Sequence, residues 1–134
     1  MPSQSSTEIS KEKKVQLIKA QQAELDAVIV YRRLAEAMKD IKIEKVLLRI
    51  AVDEGKHAGI LRKYTGATLK ASKFKALVVV TMYRTLGFKF TLKVLEKGEL
   101  KAVKGYSLLV DDFPKIDKII SDEALHADLI KNMY

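Results

Sequence analysis

Two short segments of the chain share the pattern D-E-x-x-H-A-x followed by two aliphatic residues. They are residues 53–61 and 122–130, and each contains one of the chain's two histidines at the same place in the pattern. On a helix, residues i and i+3 are neighbours on one face, so each copy can point a carboxylate and an imidazole at one spot. Both groups are common ligands of divalent metal ions. The predicted ligand pairs are Glu54 with His57 and Glu123 with His126.

A second repeat precedes each of these segments. Residues 24–34 and 99–109 share the pattern E-L-x-A-V-x-x-Y-x-x-L. Seven residues are close to two helical turns, so the Glu and the Tyr of each copy lie on one stripe of a helix. The chain is therefore predicted to contain two helix hairpins of common design that face each other. The side chains expected to meet at the middle of the bundle are Glu24, Glu54, His57, Glu99, Glu123 and His126.

The four glutamates of this set need compensating positive charge. In the apolar core of a bundle they would repel one another or take up protons, because burial disfavours the charged form of a carboxyl group. Two divalent cations would cancel the four charges. The chain has no cysteine, so it has no disulfide and no thiol ligand, and oxygen and nitrogen ligands favour iron or manganese over zinc or copper.

Hydrophobic periodicity predicts an all-α protein in which long helices position these residues. The first helix is expected to begin after Ser10 as its N-cap and to end near Asp40, and the second to end at Gly66 as its C-cap. Because the joint between them is short, the two helices are expected to lie antiparallel. They form the first hairpin.

The second hairpin is predicted to begin at Gly87. One continuous helix from residue 73 to residue 110 would be much longer than its neighbours, so we place a break at Gly87. Residues 67–86 are then a crossover that carries a short helix of its own. The fourth helix is expected over about residues 115–132, with Leu125 among the side chains that face inward.

Length and composition predict one domain. The 134 residues are enough to bury a core. Residues 1–9 are expected to be a flexible N-terminus, and residues 10–134 to form the four-helix-bundle domain. The sequence shows neither the apolar core of a signal peptide nor an apolar run long enough to cross a membrane, so a cytoplasmic location is expected.

The net charge of +8 is concentrated in the middle third of the chain. Residues 55–95 contain no Asp or Glu, and their basic residues alternate with aliphatic runs rather than forming a nucleic-acid-binding motif. We therefore predict no nucleic-acid partner. Segment 73–95 is interpreted as a surface for anionic lipid or a membrane transporter, with a plain solvated face as the alternative. The apolar stretch 77–86 would be exposed on a single bundle, which favours a homodimer.

The complete pattern resembles that of the ferritin-like di-iron proteins. Their bundles take one Glu from each of two helices and an E-x-x-H pair from each of the other two. Residues 24–31 and 54–57 resemble the first half of rubrerythrin, and residues 96–126 resemble its second half. The segment LGFKFTLKVLEKGELKAVKGYSLL, residues 86–109, resembles more closely the soluble ferritin-like domain fused to vacuolar-iron-transporter-type membrane domains. The resemblance covers about residues 8–132.

The resemblance implies a ferritin-like antiparallel four-helix bundle with a crossover helix between helices 2 and 3. It also implies a site for two Fe ions, with Mn as the alternative metal, that reacts with O2 or H2O2 as a ferroxidase or peroxidase. Glu54 and Glu123 would bridge the ions, and Glu96 would be an additional ligand. Tyr31 and Tyr106 would be catalytic residues that donate hydrogen bonds to ligand carboxylates. The terminal ligands would be Glu24, His57, Glu99 and His126.

Two departures from these relatives leave other functions open. Rubrerythrin proper has a cysteine-ligated iron site that returns electrons, so peroxidase turnover by this cysteine-free chain would need an external donor. The transporter-type membrane domain is also missing, so the chain is expected either to stand alone or to be a piece of a longer protein. An iron-sensing or iron-delivering module that partners a membrane transporter is therefore the alternative function. A site that only stabilises the fold is a third.

Overall fold

The computed structural model describes the backbone of residues 2–134 and the side chains of residues 11–134. Met1 lies outside the described residues, and the flexible N-terminus expected over residues 1–9 stays a prediction. Helix α1 begins ahead of the expected cap at Ser10. In order, the five helices of the described chain are α1 (Pro2–Glu36), α2 (Ile41–Thr65), α3 (Phe74–Leu86), α4 (Phe88–Ser107) and α5 (Ile116–Lys131). The described residues form no strand, so the predicted all-α fold is confirmed.

The helix ends follow the local signals in the sequence. Asp40 caps α2, because its side chain accepts hydrogen bonds from the backbone N–H groups of Lys42 and Ile43. Gly66 ends α2 in the left-handed conformation, with φ of 67°. Gly87, with φ of 90°, separates α3 from α4 at the predicted break. Glycine is favoured at both positions because it has no Cβ to collide with the backbone at positive φ.

The helices pack as two hairpins with a crossover between them. α1 packs against α2, α4 packs against α5, and the short helix α3 lies against both α1 and α4. This is the arrangement predicted from the sequence, with two hairpins and a crossover between them that carries the short helix α3. Among the described helices, none combines the length and the apolar character that a membrane span requires.

Two clusters of buried apolar side chains occupy the two ends of the bundle. Along α1, Glu24 lies between Leu17 of one cluster and Leu34 of the other, and the same order recurs on the other long helices. The predicted metal ligands therefore lie near the middle of the bundle, between two layers of buried apolar side chains. The first cluster contains Leu34, Leu47, Leu92 and Ile130, and the second contains Leu17, Leu61, Ile116 and Ile119.

One core assignment was wrong. Leu125 was expected to face inward, but 42% of its surface is exposed. The buried face of α5 includes Glu123, His126 and Ala127. At about 100° per residue, Leu125 lies on the opposite side of the helix from Glu123. The polar residue holds the inward position and the leucine is turned to solvent.

Candidate metal centre

Four helices each contribute to one buried cluster of carboxylates and imidazoles. α1 provides one glutamate and α4 provides another, whereas α2 and α5 each provide a Glu and a His three residues apart. None of these six side chains is more than 4% exposed. The structure thus brings together the six residues that were predicted to meet, which are Glu24, Glu54, His57, Glu99, Glu123 and His126.

These side chains divide into two groups of four, each of which could hold a metal ion. Glu54 and Glu123 belong to both groups. The ligand atoms within a group all lie within 4.8 Å of one another, which suits an ion whose bonds to nitrogen and oxygen are about 2.0–2.2 Å long. The groups are Glu24, Glu54, His57 and Glu123, and Glu54, Glu99, Glu123 and His126.

The two imidazoles lie near each other, with ring centroids 5.9 Å apart. Nε2 of His57 lies 2.8 Å from a carboxylate oxygen of Asp122, and Nε2 of His126 lies 2.9 Å from one of Asp53. A carboxylate accepts hydrogen bonds, so each Nε2 is the donor, and Nδ1 on the other side of each ring faces the cluster. Each histidine is thus held in the orientation that a metal ligand needs.

Both tyrosines of the repeat donate hydrogen bonds across the bundle. The Tyr31 hydroxyl donates to Oε1 of Glu99 over 2.6 Å, and the Tyr106 hydroxyl donates to Oε1 of Glu24 over 2.8 Å. Each tyrosine therefore contacts the glutamate of the other half of the chain. The second oxygen of each glutamate is left facing the cluster.

Six buried atoms in this cluster have no hydrogen-bond partner. They approach one another closely, as in the 3.2 Å between His57 Nδ1 and Glu54 Oε1, but without hydrogen-bond geometry. Buried polar atoms are almost always satisfied, because an unpaired one costs free energy. A pair of metal ions would satisfy all six. The atoms are Glu24 Oε2, Glu54 Oε1, Glu99 Oε2, Glu123 Oε1, His57 Nδ1 and His126 Nδ1.

The electrostatics of the cluster favour added positive charge. Burial raises the pKa of Glu24 to about 8 and that of Glu99 to about 7. Burial alone would lower the pKa of His126, but the carboxylates of Glu123 and Glu54 outweigh it and raise the pKa to about 12. The pKa of His57 is raised for the same reason. The carboxylates thus attract whatever cations reach them, protons included.

An apolar cavity of about 510 Å³ leads from the surface to the cluster. It lies between α1, α3 and α4, and the carboxylates of Glu24 and Glu99 form part of its lining. The cluster is therefore accessible to small molecules from one side of the bundle.

One predicted ligand lies outside both groups. Glu96 is partly exposed, and its carboxylate accepts a hydrogen bond from the hydroxyl of Tyr134. Neither group of potential ligands among the described residues includes it. Its role as an additional ligand stays a prediction.

Sequence reasoning missed the two aspartates that hold the imidazoles. Asp53 and Asp122 are the first residues of the repeated D-E-x-x-H pattern, so the signal was present. We assigned no role to them, because the histidine that each one contacts belongs to the other copy of the pattern. The contact that reveals their role is made between α2 and α5.

Fold and cluster together define a class: an all-α bundle whose buried carboxylates and imidazoles can hold metal. The family described as rubrerythrin matches residues 16–134. The match covers most of the chain, so the protein belongs to the rubrerythrin family of ferritin-like di-iron proteins. Comparison with the curated proteins and with the solved structures gives no match.

Proposed function

We propose that the chain is a non-haem di-iron protein that binds two Fe(II) and reacts with O2 or H2O2 as a ferroxidase or peroxidase. The observation that carries the proposal is the set of six orphaned buried atoms, which divide into two ligand groups with two shared glutamates. Family membership supports iron as the metal, and Mn is the alternative. Bound iron would supply the electrons for reduction of the oxidant.

The chain's own residues would fix the metals and tune the site. Glu54 and Glu123 would be the ligands that the two ions share, because both belong to both groups. The aspartates keep each imidazole in the tautomer that presents Nδ1. We assign Tyr31 and Tyr106 to the catalytic machinery as donors that orient the carboxylates of Glu99 and Glu24. The predicted terminal ligands are Glu24, His57, Glu99 and His126.

Anaerobic titration with Fe(II), followed by exposure to air, tests the proposal. We expect uptake of two equivalents and then a ferric absorption band in the near ultraviolet. His57→Ala and His126→Ala should each take up less iron and lose most of that band. On helix α1, Glu24→Ala should do the same, whereas Glu36→Ala, at an exposed position of the same helix, should behave like the wild type. Uptake below two equivalents in the wild type, or full uptake by the histidine variants, would refute the proposal.

A second candidate function is an iron-binding module that partners a membrane transporter without sustained turnover. The observation that favours it is a set of exposed apolar and basic side chains on α3 and α4. Phe74 and Leu77 on α3 are 70% and 66% exposed, and Phe90 on α4 is 48% exposed. Lys89 and Lys93 are also exposed there. Such a surface suits contact with anionic lipid.

Two measurements separate the candidates. Repeated rounds of iron oxidation or peroxide reduction, with an added electron donor, support the enzyme. A single round combined with binding to vesicles of anionic phospholipid supports the module. In the second case the double variant Lys89→Glu/Lys93→Glu should lose vesicle binding, whereas Lys131→Glu, at an exposed position on α5, should keep it.

A further inference from the structure

The cavity beside the metal centre is far larger than its proposed oxidants need. A water molecule occupies about 30 Å³ of the liquid, and O2 and H2O2 are only slightly larger. The cavity measures about 510 Å³, which falls within the range of about 300–1,000 Å³ typical of sites for small organic molecules. Its volume therefore indicates a ligand with many more atoms than the oxidant.

The cavity is lined mainly by apolar residues, and several of them are small. Ala27 of α1 and Ala102 of α4 line it, and so does Gly98. A Cβ added at Gly98 would meet no atom within 4 Å. Glycine inside a helix costs about 1 kcal/mol relative to alanine, and here no close helix approach explains it. Because Gly98 lines the cavity, any side chain at this position would narrow it.

The mouth of the cavity combines an apolar rim with one positive charge. Phe74 and Val78 of α3 line it and are 70% and 44% exposed. Lys75 is the one basic side chain among the described lining residues. Its ammonium lies 3.9 Å from the buried carboxylate of Asp26, and its side chain is 58% exposed. The two groups form an ion pair beyond hydrogen-bond distance, so the ammonium keeps its donors free for a ligand.

We propose that this cavity binds an aliphatic carboxylate of medium chain length, with the chain along the walls and the carboxylate at Lys75. An apolar chain gains free energy by leaving water for walls of this kind, and the lysine selects an anionic end. This proposal adds an organic ligand to the proposed di-iron protein. It rests on the proposed function, because it requires bound metal ions. The glutamates at the inner end of the cavity need bound cations to neutralise them before an anion can lie nearby.

Calorimetric titration of the Mn(II)-loaded full chain with decanoate tests the proposal. We expect saturable binding of decanoate and markedly weaker binding of decylamine, whose charge is repelled by the lysine. The metal content is measured separately on each sample. Two bound metals without decanoate binding would overturn the ligand proposal and leave the metal proposal intact. Failure to load two metals would instead refute the proposed function.

Variants that fill the cavity provide the sharper test. Gly98→Leu should weaken decanoate binding by at least about tenfold, because the new side chain displaces several methylene groups of the ligand. Gly105→Leu is the matched control on the same helix: a Cβ there also meets no atom within 4 Å, and Gly105 does not line the cavity. Ala27→Leu fills the cavity from α1 as a second variant. Unchanged affinity in both filling variants would overturn the proposal.

The charged end of the ligand is tested at Lys75. Lys75→Ala should weaken decanoate binding by about two- to fivefold, the size expected for a partly exposed ion pair, and should leave binding of 1-decanol unchanged. Lys101→Ala, at an exposed position on α4 outside the cavity lining, should change neither. An equal loss of decanoate and decanol binding in Lys75→Ala would show that the lysine does not recognise the carboxylate, and would overturn its assignment.

Discussion

Each imidazole of the candidate metal centre is fixed by an aspartate from the other half of the chain. The two contacts are alike in length, but they differ in their surroundings. Asp122 also accepts a hydrogen bond from Lys118 over 2.6 Å. Burial by itself would raise the pKa of Asp122, but Lys118 and His57 outweigh it and lower the pKa. Asp122 therefore stays ionised over a wide pH range as the partner of His57.

Removing either aspartate should weaken metal binding without removing a ligand. We expect Asp53→Ala and Asp122→Ala each to lower metal affinity by about 10- to 100-fold, because the imidazole loses its fixed tautomer and orientation. Competitive titration of Mn(II) against a chelator measures the affinity. Asp128→Ala, at an exposed position of α5, is the control. Wild-type affinity in both aspartate variants would show that packing alone orients the rings.

Metal affinity should rise with pH. Burial raises the pKa of Glu24 to about 8 and of Glu99 to about 7, so below these values the carboxyl groups hold protons that a cation must displace. As the pH rises from about 6 to 8.5, fewer protons compete and binding tightens. Calorimetry in buffers of different ionisation enthalpy should detect proton release that diminishes over the same range. An affinity independent of pH would contradict the raised pKa values.

At the scale of residues, the sequence predicted candidate metal ligands where the same residue types recur at the same spacing. The glutamates and histidines were found because the same spacing occurs twice in a chain with two histidines. Leu125 was misplaced because hydrophobicity was taken to decide the inward face of α5, whereas the buried His126 and Glu123 decide it. The partners of the histidines were not predicted, although both aspartates are the first residue of the repeated pattern, because local spacing does not show which helix a side chain contacts.

At the scale of elements, helix boundaries were predicted well wherever a capping residue sets them. Asp40, Gly66 and Gly87 each lie at a break that the structure confirms. The glycines inside helices have no such role at a helix end. A Cβ at Gly59 or at Gly105 would meet no atom within 4 Å. Close approach therefore does not explain them.

Two alanine substitutions should have opposite effects on stability. Gly66→Ala is expected to lower the free energy of unfolding by about 1–2 kcal/mol, because an L-residue is strained at its φ of 67°. Gly59→Ala is expected to raise it by roughly 0.5–1 kcal/mol, because Gly59 is inside helix α2 with open space around it. Urea denaturation of both variants measures the difference. Equal effects of the two substitutions would contradict the assigned conformations.

At the scale of the whole molecule, the homodimer predicted from the sequence stays a prediction. Leu77 and Leu86 on α3 are 66% and 59% exposed, which is the kind of surface that a partner subunit covers. We expect Leu77→Ser/Leu86→Ser to shift the protein from dimer to monomer in sedimentation experiments. Leu108→Ser, at a position 82% exposed but outside α3, should leave the dimer intact. A monomeric wild type would refute the prediction.

The number and order of the helices could be predicted because the internal repeat determines both hairpins. The cavity could not, because its volume depends on how α3 lies against α1 and α4, and no repeat or spacing describes that packing. In the sequence, Gly98 is notable only because it precedes the predicted ligand Glu99. Only the packed helices show that it lines an opening.

The four hydrogen bonds made by the two tyrosines and the two histidines join the first hairpin to the second, and each ligand group contains residues of both hairpins. Neither hairpin alone contains all the residues of a metal-binding group. If the backbone were cut in the loop between α2 and α3, two separate polypeptides would result, each carrying what the other lacks. We expect such fragments to copurify when iron is supplied and to dissociate when a chelator removes it. The metal would then stabilise the complex of the two fragments.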